Sequence, residues 1–352
     1  MWKPDLANIS NIVVRGTNWV GDTVMSIPGL KALRRIFPNA RIAMWVPAGL
    51  VPLIRGTEIS AEVVSFDGTF GGPLTRPFRV RHDLIRGNFQ MAVLFQNAFE
   101  SAFTAWMSRI PLRVGFPTDL RGPLLNMRVP LTPETRRKHQ VFYYLAIADY
   151  LEERITGKSD SYEPDCSIRI SPESLTNAQR ILAEDNVNPD KSFFCLCPGS
   201  VNSEAKRWPA ENFASLADLL IQRAVDVVFM GAPNEKELVN SIIAQMDGRA
   251  INLAGKAGMI DSMAVMNLSD MVISNDTGSA HLAVAASAPV LTIFGPTIPG
   301  ATAPFGKRAH IIRGRADCAP CRNFRCPVPN HPCMKSITPE AVLETVDKIF
   351  ET

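Results

Sequence analysis

The strongest constraint on this chain is one of order. A short β-branched run, a loop containing glycine and an apolar-periodic helix follow one another repeatedly, stop, and begin again. Ile12-Val13-Val14 opens the first series, the loop Gly16-Thr17-Asn18-Trp19-Val20-Gly21-Asp22-Thr23 follows it, and residues 23–37 carry apolar side chains at helical spacing. Further strands are expected over residues 42–46, 62–66 and 91–95, alternating with helices near residues 79–86 and 101–108. Strands alternating with helices imply a parallel sheet covered by helices.

After a helical run over residues 140–154, the polar stretch 157–163 interrupts the pattern, and a domain boundary is expected there. Apolar strands resume at residues 193–197, 225–230, 271–274 and 290–294, each followed by a loop and a helical segment. The fold class is therefore α/β: two Rossmann-like, doubly wound domains, residues 1–160 and 161–335, facing one another across a cleft. A closing amphipathic helix falls within residues 336–352, with Ala341, Val342, Val346, Ile349 and Phe350 at helical spacing. A length of 352 residues agrees with two cores rather than one. Open sheets of this kind bind ligands outside the carboxyl ends of their strands, so chemistry is sought in the loops found there.

Composition removes several other classes. No run of roughly 18 apolar residues is present to span a bilayer, and residues 1–5, Met-Trp-Lys-Pro-Asp, lack the apolar centre of a signal peptide, so a cytoplasmic location is expected. Seven cysteines, two of them (Cys195 and Cys197) inside a buried-strand pattern, argue against a secreted disulfide scaffold. A net charge of +3 is too small to suggest nucleic acid. The charge is uneven, however: residues 66–140 hold eleven Lys and Arg against five Asp and Glu, a local excess of six. Such a basic face suits an anionic partner, a phosphorylated lipid or a sugar acid, and equally an ordinary solvated surface.

Four loops carry residues of chemical interest. In the first, Asp22 stands at the start of a helix, where it serves either as a cleft carboxylate or as a cap favoured by the helix dipole. That loop has neither a Gly-x-Gly-x-x-Gly nor a Gly-Lys-Ser/Thr pattern, so no phosphate cradle is expected there. In the second half, Pro198-Gly199-Ser200 and Ala205-Lys206-Arg207-Trp208-Pro209 place a lysine where a diphosphate needs a cation. Asn275-Asp276-Thr277-Gly278-Ser279-Ala280-His281 leads from a strand into an alanine-rich helix whose first amides form an anion seat. There Asp276 also reads as a cap and His281 as a core histidine. Gly295-Pro296-Thr297 makes a stiff turn at the same edge.

In this order, Trp19-Val20-Gly21-Asp22, Pro198-Gly199-Ser200 with Ala205-Lys206-Arg207-Trp208-Pro209, and Asn275-Asp276-Thr277-Gly278 with His281 resemble the signature of glycosyltransferase family nine, the ADP-heptose:lipopolysaccharide heptosyltransferases. The resemblance covers nearly the whole chain. Asn97-Ala98-Phe99-Glu100-Ser101 and Leu124-Leu125-Asn126 resemble the branch that extends a heptose-bearing inner core. It implies a GT-B fold, an N-terminal acceptor domain, a C-terminal ADP-sugar domain, and transfer with inversion, without metal or other cofactor. The implied partners are an ADP-sugar and an anionic lipid-linked core acceptor, with peripheral contact at the inner membrane. By the same resemblance Asp22 is the general base, Lys206 faces the diphosphate, Glu235 binds the ribose, and Asp276, Thr277, Gly278 and His281 form the donor loop, assisted by Ser200. Asn97, Arg121 and Asn126 are assigned to the acceptor side. A family member using another sugar or acceptor, a nucleotide-sugar epimerase or hydrolase, and an inactive metal-binding scaffold remain as alternatives. The last arises from Cys318, Cys321, Cys326 and Cys333, whose C-x2-C-x4-C-x6-C spacing matches no standard metal module but supplies four thiols.

Overall fold

A computed structural model describes residues 6–59, 62–66, 76–160, 162–201 and 203–351. Residues 1–5, Asp67 of the basic stretch and Ser161 of the polar stretch lie outside the described residues. The chain divides into two compact units, Met1–Cys166 and Ser167–Thr352.

Each unit is built on one six-stranded parallel sheet. The first comprises β1 (Asn11–Arg15), β2 (Arg41–Pro47), β3 (Glu62–Phe66), β4 (Met91–Leu94), β5 (Leu112–Gly115) and β6 (Met127–Arg128), in the order β3-β2-β1-β4-β5-β6. The second comprises β7 (Phe193–Cys197), β8 (Asp226–Phe229), β9 (Ile251–Asn252), β10 (Met271–Asn275), β11 (Val290–Phe294) and β12 (Ala309–Arg313), ordered β12-β11-β10-β7-β8-β9. Read from the opposite edge, the second order repeats the first. Both are the doubly wound arrangement, in which the chain turns one way from the first strand and the other way from the fourth. Ile12, Val13 and Val14 are fully buried, as are Cys195 and Leu196 in β7 and Val290, Leu291 and Ile293 in β11. Burial on both faces explains why these strands read as continuous apolar runs rather than alternating ones.

The boundary lies a few residues beyond the polar stretch, for a visible reason. The helix Gln140–Thr156 ends on Gly157 at φ 80°, and the following segment is drawn back to the helix Val20–Ile36 by Lys31–Asp165 at 2.5 Å and Arg35–Asp160 at 3.6 Å. The closing helix, Pro339–Phe350, does not stand apart. Capped by the Thr338 hydroxyl, it buries Val342, Leu343 and Val346 against the helix Ala210–Gln222 and completes the second core.

Candidate active site

In each sheet the reversal of strand order opens a crevice between the first and fourth strands at their carboxyl ends, and the sequence-derived residues other than Asn126 lie in segments that follow strand carboxyl ends. In the N-terminal unit the loop after β1 carries the chain into the helix Val20–Ile36, whose first turn holds Asp22. That loop is held from below by Arg15, a buried arginine whose guanidinium donates to the Gly16 carbonyl at 2.5 Å and to Asn18 Oδ1 at 2.6 Å. It lies over the rings of Trp45 and Phe66 at about 5 Å, a cation–π sandwich that offsets the loss of water around the charge. Gly16 is required by proximity: a Cβ there would lie 2.6 Å from Val46 Cγ1. From the helix Gln140–Thr156 the buried Tyr144 phenol hydrogen-bonds Asp22, and burial first, then the Asp22 charge, raises its pKa well above the usual phenol value.

Asn97 follows β4 at the same edge. Its Nδ2 donates to the Tyr143 hydroxyl at 2.7 Å, and its Oδ1 accepts from Arg121 Nη2 at 2.9 Å. Arg121 is completely buried, donating also to the carbonyls of Phe116 and Gln96, and burial lowers its pKa to about 10. Gly115 leaves room for it, since a Cβ there would stand 3.1 Å from Arg121 Nη2. The direct contact with an acceptor expected of Arg121 is not open to it here, because the guanidinium has no exposed surface and is spent on Asn97 and on backbone carbonyls. Asn126 is not brought to this edge. Its side chain accepts from Arg113 N at 2.8 Å and donates to the Pro111 carbonyl at 2.6 Å, at the amino ends of β5 and β6. It is a strand-entry clip, and its assignment to the acceptor has no support from its position.

At the corresponding edge of the C-terminal unit the chemistry is different. Lys206 Nζ lies 2.8 Å from Asp276 Oδ2 and donates to the Asp276 carbonyl at 3.1 Å. Asp276 is almost wholly buried, and its carboxylate also accepts from Thr297 Oγ1 at 2.7 Å. Thus the loops after β7, β10 and β11 meet at one carboxylate. Asn275 joins two of them again, accepting from Trp208 N at 3.0 Å and donating to the Pro198 carbonyl at 2.8 Å. Thr277, in extended backbone, precedes the helix Gly278–Ala285, whose first amides open toward the same edge. Gly278 itself begins the helix in ordinary helical conformation.

Glu235 sits against glycine. A Cβ on Gly199 would lie 1.9 Å from Glu235 Oε1, and one on Gly231 3.0 Å from its Oε2, while Oε2 accepts from Ala232 N at 2.8 Å. Burial first, then the charges of Cys195 and Glu235, push the Cys197 thiol well above its usual pKa, and a hydrogen bond with Ser279 opposes the shift. Glu235 and Ser279 therefore both approach the end of β7. Ser200 is buried and donates to the Ser203 carbonyl at 2.9 Å, an intraloop role. His281 is buried within its helix.

The cysteine-rich segment is a brace behind this site. Phe324 accepts at its carbonyl from Ala205 N at 3.0 Å and Ser203 Oγ at 3.2 Å, and His331 Nε2 is 2.8 Å from the Ala205 carbonyl. All seven cysteines are free thiols, and among the described residues no group of three His, Cys, Asp or Glu side chains is arranged to hold a metal ion. The four tail thiols are nonetheless neighbours: burial first, then the charges of Cys318, Cys326 and Cys321, raise the pKa of Cys333. Sequence reasoning missed Arg15 and Tyr144 and named Asn275 only as part of its motif, although an arginine directly following the apolar run Ile12-Val13-Val14 was a signal for the first.

Comparison with known proteins agrees with this architecture. A family model described as glycosyltransferase family 9 (heptosyltransferase) matches residues 77–331. Lipopolysaccharide heptosyltransferase 2 of Salmonella typhimurium is 27% identical over 347 residues, covering 96% of this chain and 98% of that protein. The solved structure of Escherichia coli ADP-heptose lipopolysaccharide heptosyltransferase II superposes with a TM-score of 0.80 at 25% identity, over 96% of this chain and 98% of the other. A family 9 glycosyltransferase from Veillonella parvula shares the fold with a TM-score of 0.83 at 22% identity, over 99% of both chains. With two equivalent doubly wound sheets and a family match spanning most of its length, the chain belongs to glycosyltransferase family 9, the heptosyltransferases.

Proposed function

We propose that this glycosyltransferase moves L-glycero-D-manno-heptose from ADP-heptose to a heptose-bearing lipopolysaccharide inner core, with inversion at the anomeric carbon and without metal, at the cytoplasmic face of the membrane. The reading follows the relatives, whose names state heptosyltransferase 2 activity and an ADP-heptose substrate. It is carried by one observation: the two sheets share a topology, but one switch point presents the carboxylate Asp22 and the other the partly exposed Lys206 paired with the buried Asp276 beside a helix start.

In the proposed reaction Asp22 accepts the proton of the acceptor hydroxyl as its oxygen forms a bond to the anomeric carbon on the face opposite the nucleotide. The bond from that carbon to the diphosphate oxygen breaks, and ADP leaves with the electron pair. Lys206, which has three donors and uses two of them on Asp276 in this structure, supplies positive charge to the diphosphate. Amides of Thr277, Gly278 and Ser279 add to it. The Lys206 ammonium, turned from Asp276 to the diphosphate, together with the helix amides supports a reading in which no divalent ion is needed, as does the lack of an Asp-x-Asp pair in the sequence. Glu235, backed against Gly199 and Gly231, accepts from ribose hydroxyls. The Asn97–Tyr143–Arg121 network lines the acceptor side through Asn97.

Incubation with ADP-heptose and defined truncated core acceptors, with products read by mass, tests the assignment. A one-heptose increase on a heptose-bearing acceptor is expected. Transfer only to a heptose-free acceptor, or only from another nucleotide sugar, would assign a different member of the family.

A further inference from the structure

The catalytic edges do not account for the outer face of the N-terminal unit. The helix Arg76–Arg86 exposes Phe78 and Ile85, and the helix Phe99–Met107 exposes Phe99 and Trp106, with Phe78 64% accessible. On the second helix Phe99, Phe103 and Trp106 form a ladder, each pair of neighbouring ring centroids 5.9 Å apart. Large aromatics gathered in this way on a soluble surface usually mark an interface, since scattered single residues need no explanation but contiguous ones do.

Charge selects the partner. Where the two helices converge on the entry to β5, a depression of about 650 Å³ is lined by Phe78, Arg81, Trp106, Arg109, Ile110 and Arg113 among others, and no carboxylate is among its described lining residues. Arg81 donates its Nε to the Met107 carbonyl at 3.1 Å, tying the helices together at the rim. Arg113 is fixed by the carbonyls of Leu124 and Ile110 at 2.6 Å each, so it contributes a stationary charge. Asp83 and Glu100 are the acids of these helices, and neither lines the depression. Arginines beside amphipathic aromatic rings match a boundary that is anionic at its surface and apolar beneath.

We propose that this face, the Arg81–Arg109–Arg113 depression together with Phe78 and the Phe99–Phe103–Trp106 ladder, docks on an anionic phospholipid bilayer. The ladder begins two residues after Asn97, at the carboxyl edge of the sheet, and runs about 10 Å along its helix to the depression at the opposite edge. A bilayer lying on it reaches from the arginines to the acceptor side of the unit. The inference rests on the proposed membrane-borne acceptor for its purpose, and on the surface alone for its existence.

The full chain is tested with vesicles of phosphatidylcholine alone and of phosphatidylcholine with phosphatidylglycerol, by co-sedimentation at low and high salt. Binding to the anionic vesicles only, weakened by salt, is expected. R81E/R109E should lower the partition coefficient at least about twentyfold, because each basic residue near an anionic surface contributes roughly fivefold. F78S/W106S should also lower binding while leaving its salt dependence in place, and brominated acyl chains should quench tryptophan emission in the parent but much less in W106F. Unchanged thermal midpoints, and unchanged transfer to a lipid-free acceptor, show that the variants are folded. Equal binding by parent and variants overturns the proposal. So does a parent of twice the monomer mass by light scattering that becomes monomeric in F78S/W106S, since the face then meets a second copy. Failure of the proposed function would show instead as no transfer to any acceptor, whatever the vesicles report.

Discussion

The two carboxyl edges of this enzyme share a strand order and differ in almost everything placed on it. At the β1–β4 edge the Tyr144 phenol meets the carboxylate Asp22 and the Tyr143 phenol meets Asn97, while Arg15 and Arg121 are buried and spend their donors on loop carbonyls and amides. At the β7–β10 edge the buried carboxylate, Asp276, is neutralised by Lys206 and held by Thr297, next to open helix amides. The comparison teaches that the doubly wound sheet supplies only the crevice. In the proposed reaction what the first helical turn carries divides the roles: the acid at one edge takes the proton, and the glycine and small residues at the other seat the anion.

The sharpest way to break the comparison is to remove the proton acceptor and leave its shape. Asp22→Asn is expected to lower kcat by about 10²- to 10⁴-fold, the usual contribution of a positioned base, while donor affinity measured by calorimetry stays within a few-fold. Equal turnover in variant and parent would take Asp22 out of the mechanism. On the other edge Lys206→Ala should cost about 1.5–3 kcal/mol in donor binding or in stabilisation of departing ADP, the range for a charge-assisted hydrogen bond. It should also lower the thermal midpoint, because Asp276 is buried and would keep only Thr297 as a side-chain partner. Normal kinetics with a lowered midpoint would reduce Lys206 to a structural counter-ion.

How far these edges were legible in the sequence follows from where each signal resides. The central strands are buried on both faces, so their apolar runs stood out, and Glu62–Phe66, Phe193–Cys197 and Val290–Phe294 fall where expected. Four strands were missed. β6 and β9 have two residues each, β5 has four and carries Arg113, and β12 is an edge strand with alternate exposure, so none offers a long apolar window. Asp276 directly follows β10, and Asp22 and Lys206 stand in the segments that lead from β1 and β7 toward the next helix, so their placement at these edges is a local property. Tyr144 and Arg121 act through contacts more than twenty residues away in sequence, which no local pattern encodes. Asn126 misled for the same reason: its nearness to Arg121 in sequence says nothing about which end of the sheet it occupies.

A smaller effect tests whether the C-terminal edge is sufficient in itself. If Lys206 and the helix amides provide the potential that ADP requires, exhaustive chelation with EDTA should change the rate by less than about threefold, and added magnesium should do no more. Loss of activity on chelation, restored by magnesium, would show that a divalent ion shares this work. Restoration by zinc alone, with a parallel shift in thermal midpoint, would return attention to Cys318, Cys321, Cys326 and Cys333 as a structural site.

The smallest expected effect concerns how each unit treats a carboxylate away from solvent. Asp276 has one cation to itself, whereas in the N-terminal unit Asp149 shares Arg35 with Glu152, at 3.0 Å from Arg35, and Asp160, at 3.6 Å. Burial first, then the Glu152 charge, push the Asp149 carboxyl up to about 6, with Arg35 opposing. A folded-state pKa above the unfolded value means that the native unit binds this proton more tightly. The stabilisation is fully present below the unfolded value near 4 and is lost as pH rises through about 6. At neutral pH, Asp149→Asn should therefore stabilise the unit, since the amide needs no counter-ion. A shift of about two pKa units corresponds to roughly 3 kcal/mol, but the side chain is partly exposed and solvent screening reduces this to about 1 kcal/mol. That amounts to a rise of about 2–4 °C in the midpoint of a unit of this size. Thermal melts of parent and variant between pH 4 and 8 should nearly coincide at the acidic end, diverge as pH rises to about 6 and keep a constant separation above it. Parallel curves across the range would mean that Asp149 keeps its charge in the folded state, and that the N-terminal unit neutralises its carboxylates as completely as the C-terminal one neutralises Asp276.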